Sequence, residues 1–195
     1  MPDKKTVRIL AFAGSTRKDS LNKKLARATA AIAGEQGAEV TYVDLKDYPM
    51  PLYDGDYEVE HGLPEAARGL RALFLSHDAL IIATPEYNGS VPAVLKNTID
   101  WLSRKQGDEP PLACFRGKVA LLLGASPGGL GGIRCLGHLS VLLTGIQVMV
   151  LPGMKSVPHA DKVFNEKDAL IDDNLRDALQ ELTQKLTNLL CSRPA

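Results

Sequence analysis

Three short segments of the 195-residue chain gather the residue types that bind anions and flat rings. The first is Gly14-Ser15-Thr16-Arg17-Lys18-Asp19-Ser20-Leu21-Asn22. It offers hydroxyls, a guanidinium and the free amides of a helix start. A phosphate dianion needs that combination: oriented donors, a positive helix end and a bidentate cation. The segment is neither a Walker loop nor GxGxxG. The second is Thr84-Pro85-Glu86-Tyr87-Asn88-Gly89-Ser90-Val91-Pro92. Its stiff, turned backbone can offer amides and carbonyls to a flat heterocycle while the Tyr87 ring shields one side. The third is Gly124-Ala125-Ser126-Pro127-Gly128-Gly129-Leu130-Gly131-Gly132, with four glycines in its last five residues. Such a backbone can approach a ligand closely and adopt positive φ. Each segment alone also fits a plainer role: a helix cap with a solvated Arg-Lys pair, a capping turn with a surface tyrosine, or a tight packing contact.

The elements between these segments decide whether they meet. Val7 to Ala13 is an apolar run except for Arg8 and reads as a buried strand. Residues 21–36 carry Leu21, Leu25, Ala28 and Ile32 at helical spacing, with Ser20 as N-cap. Further strands are expected at 39–45, 79–84, 118–124 and 147–151, and helices at 63–76, 91–103, 132–144 and 166–190, the last capped by Asn165. The long connection 46–62 reads as a functional or interface loop. Strands alternating with helices imply right-handed βαβ units. The pattern is an α/β, flavodoxin-like three-layer sandwich, a five-stranded parallel sheet with helices on both faces, in one domain over residues 1–195. In such a sheet, ligands sit beyond the carboxyl ends of the strands, where all three segments fall. A phosphate cradle, an aromatic-bearing turn and a glycine-rich loop at one edge fit a mononucleotide with a large planar ring. FMN is the natural candidate.

These residues resemble the NAD(P)H-dependent FMN reductase family, and within it the chromate and quinone reductase group. The likeness rests on Gly14-Ser15-x-Arg17-x-x-Ser20-x-Asn22, on Pro85 to Pro92 followed by Leu95-Lys96-Asn97 and Asp100-Trp101, and on Ser126-Pro127-Gly128-Gly129 with Gly131-Gly132-x-Arg134. It implies that Ser15, Arg17, Ser20, Leu21 and Asn22 hold the FMN phosphate. Pro85, Glu86, Tyr87, Asn88 and Gly89 would line the ring and ribityl chain, and Ser126, Pro127, Gly128 and Gly129 the ring's other edge. It further implies a homodimer or homotetramer with the flavin near a subunit interface, where Tyr53 and Asp54 would reach a neighbour's site. His138-Leu139-Ser140 lacks the basic residue expected after the leucine, which removes support for an inter-subunit role there.

The implied reaction passes hydride from NADPH or NADH to flavin N5, then electrons to a small-molecule acceptor such as a quinone, azo compound or chromate. No side chain is nominated as a catalytic acid, base or nucleophile, and no metal ligand. The four histidines are scattered and read as surface or packing residues. Cys114, Cys135 and Cys191 form no CxxC pair and indicate neither a disulfide framework nor a zinc site. The chain carries formal charge +0, so no broad field draws it to nucleic acid or an anionic membrane. The polar start, Met1 to Thr6, does not read as a secretory signal, no stretch reaches the roughly 18 apolar residues of a bilayer span, and the cytoplasm is the expected location. Two other classes stay open. One is a non-enzymatic flavodoxin-like electron carrier, which the neutral charge disfavours; the other is a flavin-binding regulatory protein.

Overall fold

The computed structural model describes residues 6–192; residues 1–5, which hold most of the polar start, and 193–195 lie outside the described residues, as do those ends of the expected domain. The strands are β1 (Arg8–Ala13), β2 (Glu39–Val43), β3 (Ala79–Thr84), β4 (Val119–Ala125), β5 (Met149–Val150) and β6 (Lys155–Val157). The helices are α1 (Leu21–Glu35), α2 (Gly55–His61), α3 (Glu65–Ser76), α4 (Ala93–Leu102), α5 (Ile133–Gly145) and α6 (Asp173–Cys191). All strand pairings are parallel, in the order β2-β1-β3-β4-β5. This is the flavodoxin-like three-layer arrangement.

Period-two alternation divides each strand between two cores. Ile9 and Ala11 of β1, Ile81 of β3 and Leu121 of β4 face Leu25 of α1 and Leu179 and Leu186 of α6. Leu10, Phe12, Leu80 and Leu122 face Phe74 of α3, Leu95 and Ile99 of α4 and Leu136 and Leu139 of α5. Burying each such side chain contributes about 1.5–3 kcal/mol. Both faces of β1, β3 and β4 are therefore covered, and the polar loops that follow these strands lie at a single edge.

Three elements differ from the sequence expectation. The strand expected at 147–151 is divided: β5 pairs with Val119 and Ala120, and β6 pairs with Leu123 to Ala125. Pro152 and Gly153 (φ +97°) break the run between them, so two short strands share the fifth position. The last helix begins at Asp173, seven residues later than expected. The Asn165 side-chain Oδ1 instead accepts the N–H groups of Lys167 and Ala169 in a local turn, and Asp168 takes φ +62°. Asp172 is the N-cap, accepting the Leu175 N–H at 2.8 Å. Ile171 thus precedes the helix and is exposed. Finally, the connection 46–62 contains α2, capped by the Asp54 carboxylate.

Candidate functional site

The loop after β1 is shaped by the start of α1. Ser20 takes extended backbone angles and its hydroxyl accepts the Lys23 N–H at 3.4 Å, so the sequence-predicted cap forms. The N–H groups of Leu21 and Asn22 in the first turn have no partner within the helix. Ser15 and Ser20 are buried, and the Ser15 hydroxyl accepts the Arg17 N–H at 3.3 Å. Arg17 is exposed and pairs with no carboxylate among the described residues. Gly14 is required by close approach: a Cβ there would stand 2.9 Å from Thr84 Oγ1 and 3.0 Å from Leu95. The Asn22 amide donates to the Ala125 carbonyl and accepts the Ala125 N–H, both at 2.9 Å. Its side chain is a strut between the first and third loops.

The loop after β3 closes on itself. Tyr87 and Ser90 exchange backbone hydrogen bonds at 3.1 and 3.0 Å, while Asn88 and Gly89 take φ +51° and +76°. Positive φ at both central residues is the type I′ signature, which Asn-Gly favours. The turn leaves Tyr87 half exposed. Glu86 points to the start of α5: Arg134 Nε donates to Oε1 at 2.6 Å and the Cys135 N–H to Oε2 at 3.4 Å. The Arg134 hydrogen bond holds the Glu86 carboxyl below its ordinary range. His138 contacts Ser90 Oγ through Nδ1 at 3.1 Å. Helix α5 therefore grips the second loop at both ends.

In the third loop the structure separates packing glycines from open ones. A Cβ on Gly124 would stand 2.8 Å from the Gly131 carbonyl, and one on Gly131 would meet Val157 and Pro158 backbone at 2.6–2.7 Å. Gly129 has nothing within 4 Å. Segment 157–161 backs this loop: Ser126 N–H donates to the Val157 carbonyl, Ala160 N–H to that of Ser126 and His159 N–H to that of Gly128. The buried thiols Cys114 and Cys135 are each pushed up to about 11, chiefly by burial, so neither is a nucleophile at neutral pH.

These loops enclose a cavity of about 360 Å³. Ser15, Arg17, Ser20, Leu21 and Asn22 line one side, Pro85, Glu86 and Tyr87 the second, Ser126 and Pro127 the third. Of the residues nominated from the sequence, Asn88, Gly89, Gly128 and Gly129 do not line it. The first two form the turn tip, and the carbonyl of Gly128 is engaged by Ser126 Oγ and His159 N–H. Asp19, Ala125 and Asp161 line the cavity without having been nominated. Asp19 stood inside the quoted motif, whereas only the β6 crossover brings Asp161 there. A cavity of 390 Å³ between α5 and β5 carries no charged group. The chemistry of the first cavity fits FMN: hydroxyls, the amides of a helix start and a cation on one wall, proline and tyrosine on the next.

Two further placements bear on the site. Tyr53 and Asp54 have internal roles: the Tyr53 ring packs on Trp101 at 5.0 Å, and Asp54 caps α2. Leu52 between them and Pro51 is 78% exposed. Asp44, just past β2, stands where dinucleotide folds place a ribose-reading acid, but buried Lys23 occupies it at 2.6 Å. Burial opposes ionisation of Asp44, yet the Lys23 ammonium and the Lys46 N–H hold its carboxyl below the usual range. The stabilisation from this pair is complete above the unfolded carboxylate pKa of about 3.9 and is lost as pH falls through the lower folded value. Lys23→Met is expected to flatten the acid limb of a stability-versus-pH curve measured by urea unfolding between pH 3 and 7. An unchanged acid limb would contradict the pairing.

Parallel strands, a cavity at their carboxyl edge and a phosphate-type cradle define a flavodoxin-like nucleotide-binding protein. The model of the NADPH-dependent FMN reductase family matches residues 7–162. A quinone reductase of Escherichia coli (strain K12) is 36% identical over 183 residues, covering 93% of this chain and 92% of the relative. An NAD(P)H-dependent FMN reductase of Pseudomonas aeruginosa is 34% identical over 181 residues, covering 92% and 93%. Among solved structures, the flavoenzyme NAD(P)H:(acceptor) oxidoreductase FerB of Paracoccus denitrificans superimposes with a TM-score of 0.79 at 26% identity, covering 94% of this chain and 96% of that one. The chain belongs to the NADPH-dependent FMN reductase family and is a flavin-dependent oxidoreductase.

Proposed function

We propose that the 360 Å³ cavity holds FMN and that the acceptor is a quinone. The observation that carries this reading is the convergence of buried Ser15 and Ser20, exposed Arg17, which pairs with no carboxylate among the described residues, and the first amides of α1 in one cavity with Pro85 and Tyr87. Arg17 and the α1 amides would hold the phosphate, with Asn22 keeping the cradle against β4. Tyr87 and Pro85 would bound the ring, while Glu86 fixes that wall to α5. When bound, FMN supplies the hydride chemistry, taking hydride from NADH or NADPH and returning electrons to the acceptor. The protein's own part is to bind, orient and leave one ring face open. An open face suits a planar quinone, the substrate class that the names of several relatives carry. Azo compounds and chromate are further acceptors on the same reasoning.

No helix among the described residues is long and apolar enough to cross a membrane. We place the protein in the cytoplasm, as one domain over residues 1–195 and as a homodimer or homotetramer without nucleic-acid partners. Arg17→Ala tests the phosphate assignment. Removing one charge-assisted hydrogen bond should weaken FMN binding by about 1.5–3 kcal/mol, read by quenching of FMN fluorescence on titration with protein. Unchanged affinity would remove Arg17 from the site.

A further inference from the structure

Glu86 lines the proposed FMN cavity, and its carboxylate-bearing side chain is only 9% exposed. Adding a hydride to bound FMN adds one unit of negative charge, so an uncompensated carboxylate in that wall would oppose reduction. The chain compensates it twice. The Arg134 guanidinium pairs with Oε1 through Nε at 2.6 Å and through a second nitrogen, and the Cys135 N–H donates to Oε2. Gly132, the residue before α5, has φ +85° and no side chain to cap the helix. The Glu86 carboxylate from another loop takes that role, meeting the positive end of α5.

We propose that Arg134 is a positioning residue that turns the Glu86 carboxylate onto α5 and neutralises it, so that the cavity wall tolerates the extra negative charge of reduced FMN. The proposal rests on the FMN reading above. Arg134 lies on the outer surface of α5 with its side chain 60% exposed, so no core contact depends on it. Its role is therefore electrostatic and local, and it acts on the cofactor only through Glu86.

The test is an anaerobic titration of the apoprotein with oxidised FMN and with dithionite-reduced FMN. Arg134→Gln should weaken reduced FMN about tenfold more than oxidised FMN, the order of effect expected of one uncompensated charge near a surface site. Arg134→Lys keeps the charge without the guanidinium fork and should retain most of the wild-type ratio. The double variant Glu86→Gln/Arg134→Gln should restore that ratio, because no carboxylate is left to neutralise. Equal weakening of both forms by Arg134→Gln, or failure of the double variant to restore the ratio, would overturn the proposal. Wild-type protein that binds neither form would overturn the FMN reading itself, and with it this inference.

Discussion

Trp101→Ala is expected to lower the unfolding free energy by about 3–5 kcal/mol, the range for deleting a fully buried large aromatic. Trp101 is 0% exposed on the inner side of α4. Tyr53 meets it edge-on at 5.0 Å and Tyr57 at 6.0 Å. Its indole N–H donates to the Pro51 carbonyl at 2.8 Å, beside a second donor, Asn97 Nδ2, at 2.8 Å. Asn97 Oδ1 accepts the Tyr53 N–H at 2.7 Å. Helix α2 has no buried residue of its own, so this aromatic contact is what seats it. The loss should appear in urea unfolding followed by far-ultraviolet circular dichroism, with new protease cleavage between residues 50 and 62. Trp101→Phe should recover most of the stability, because Asn97 still satisfies Pro51. A loss below about 1 kcal/mol in the alanine variant, within the range of ordinary substitutions, would contradict this account of α2.

Gly131→Ala should cost about 3 kcal/mol or more, through backbone strain and overpacking together. The added Cβ would meet Val157 and Pro158 backbone atoms at 2.6–2.7 Å, and φ is +58°. Those neighbours cannot yield without breaking the pairing of β6 with β4, and through it the Ser126 contact to Val157. Gly129→Ala, two residues away with open space around it, should change stability by no more than about 0.5 kcal/mol. Thermal melting of the two variants side by side checks both statements. Equal melting temperatures would show that the third loop is held differently.

The contrast between these two glycines marks what the sequence could carry. Local signals were legible: apolar runs for β1, β3 and β4, the Ser20 cap, Asn88-Gly89 as a turn, and three polar loops at one sheet edge. Signals that depend on distant partners were not. The Asn22 side chain reads as a phosphate ligand until β4, 103 residues away, takes both of its amide atoms. Glu86 lines the cavity as its motif suggests, but its pairing with Arg134, 48 residues away at the start of α5, has no local signal. Asn165 and Asp172 are both competent caps, and the helix begins at the second because Asp168 turns the chain with positive φ before Ile171. The segment behind the third loop, with Asp161, has no local motif. Only the pairing of β6 beyond the Pro152-Gly153 break brings it to the cavity.

Whether flavin-dependent reduction runs through the cavity between these loops is decided by one spectrum. FMN-reconstituted protein is observed anaerobically before and after adding NADPH, and then NADH. Rapid bleaching of the yellow flavin band by at least one of the two is expected, with its return when a quinone is admitted. A bound flavin that neither nicotinamide bleaches, or a protein that takes up no FMN, would contradict that reading.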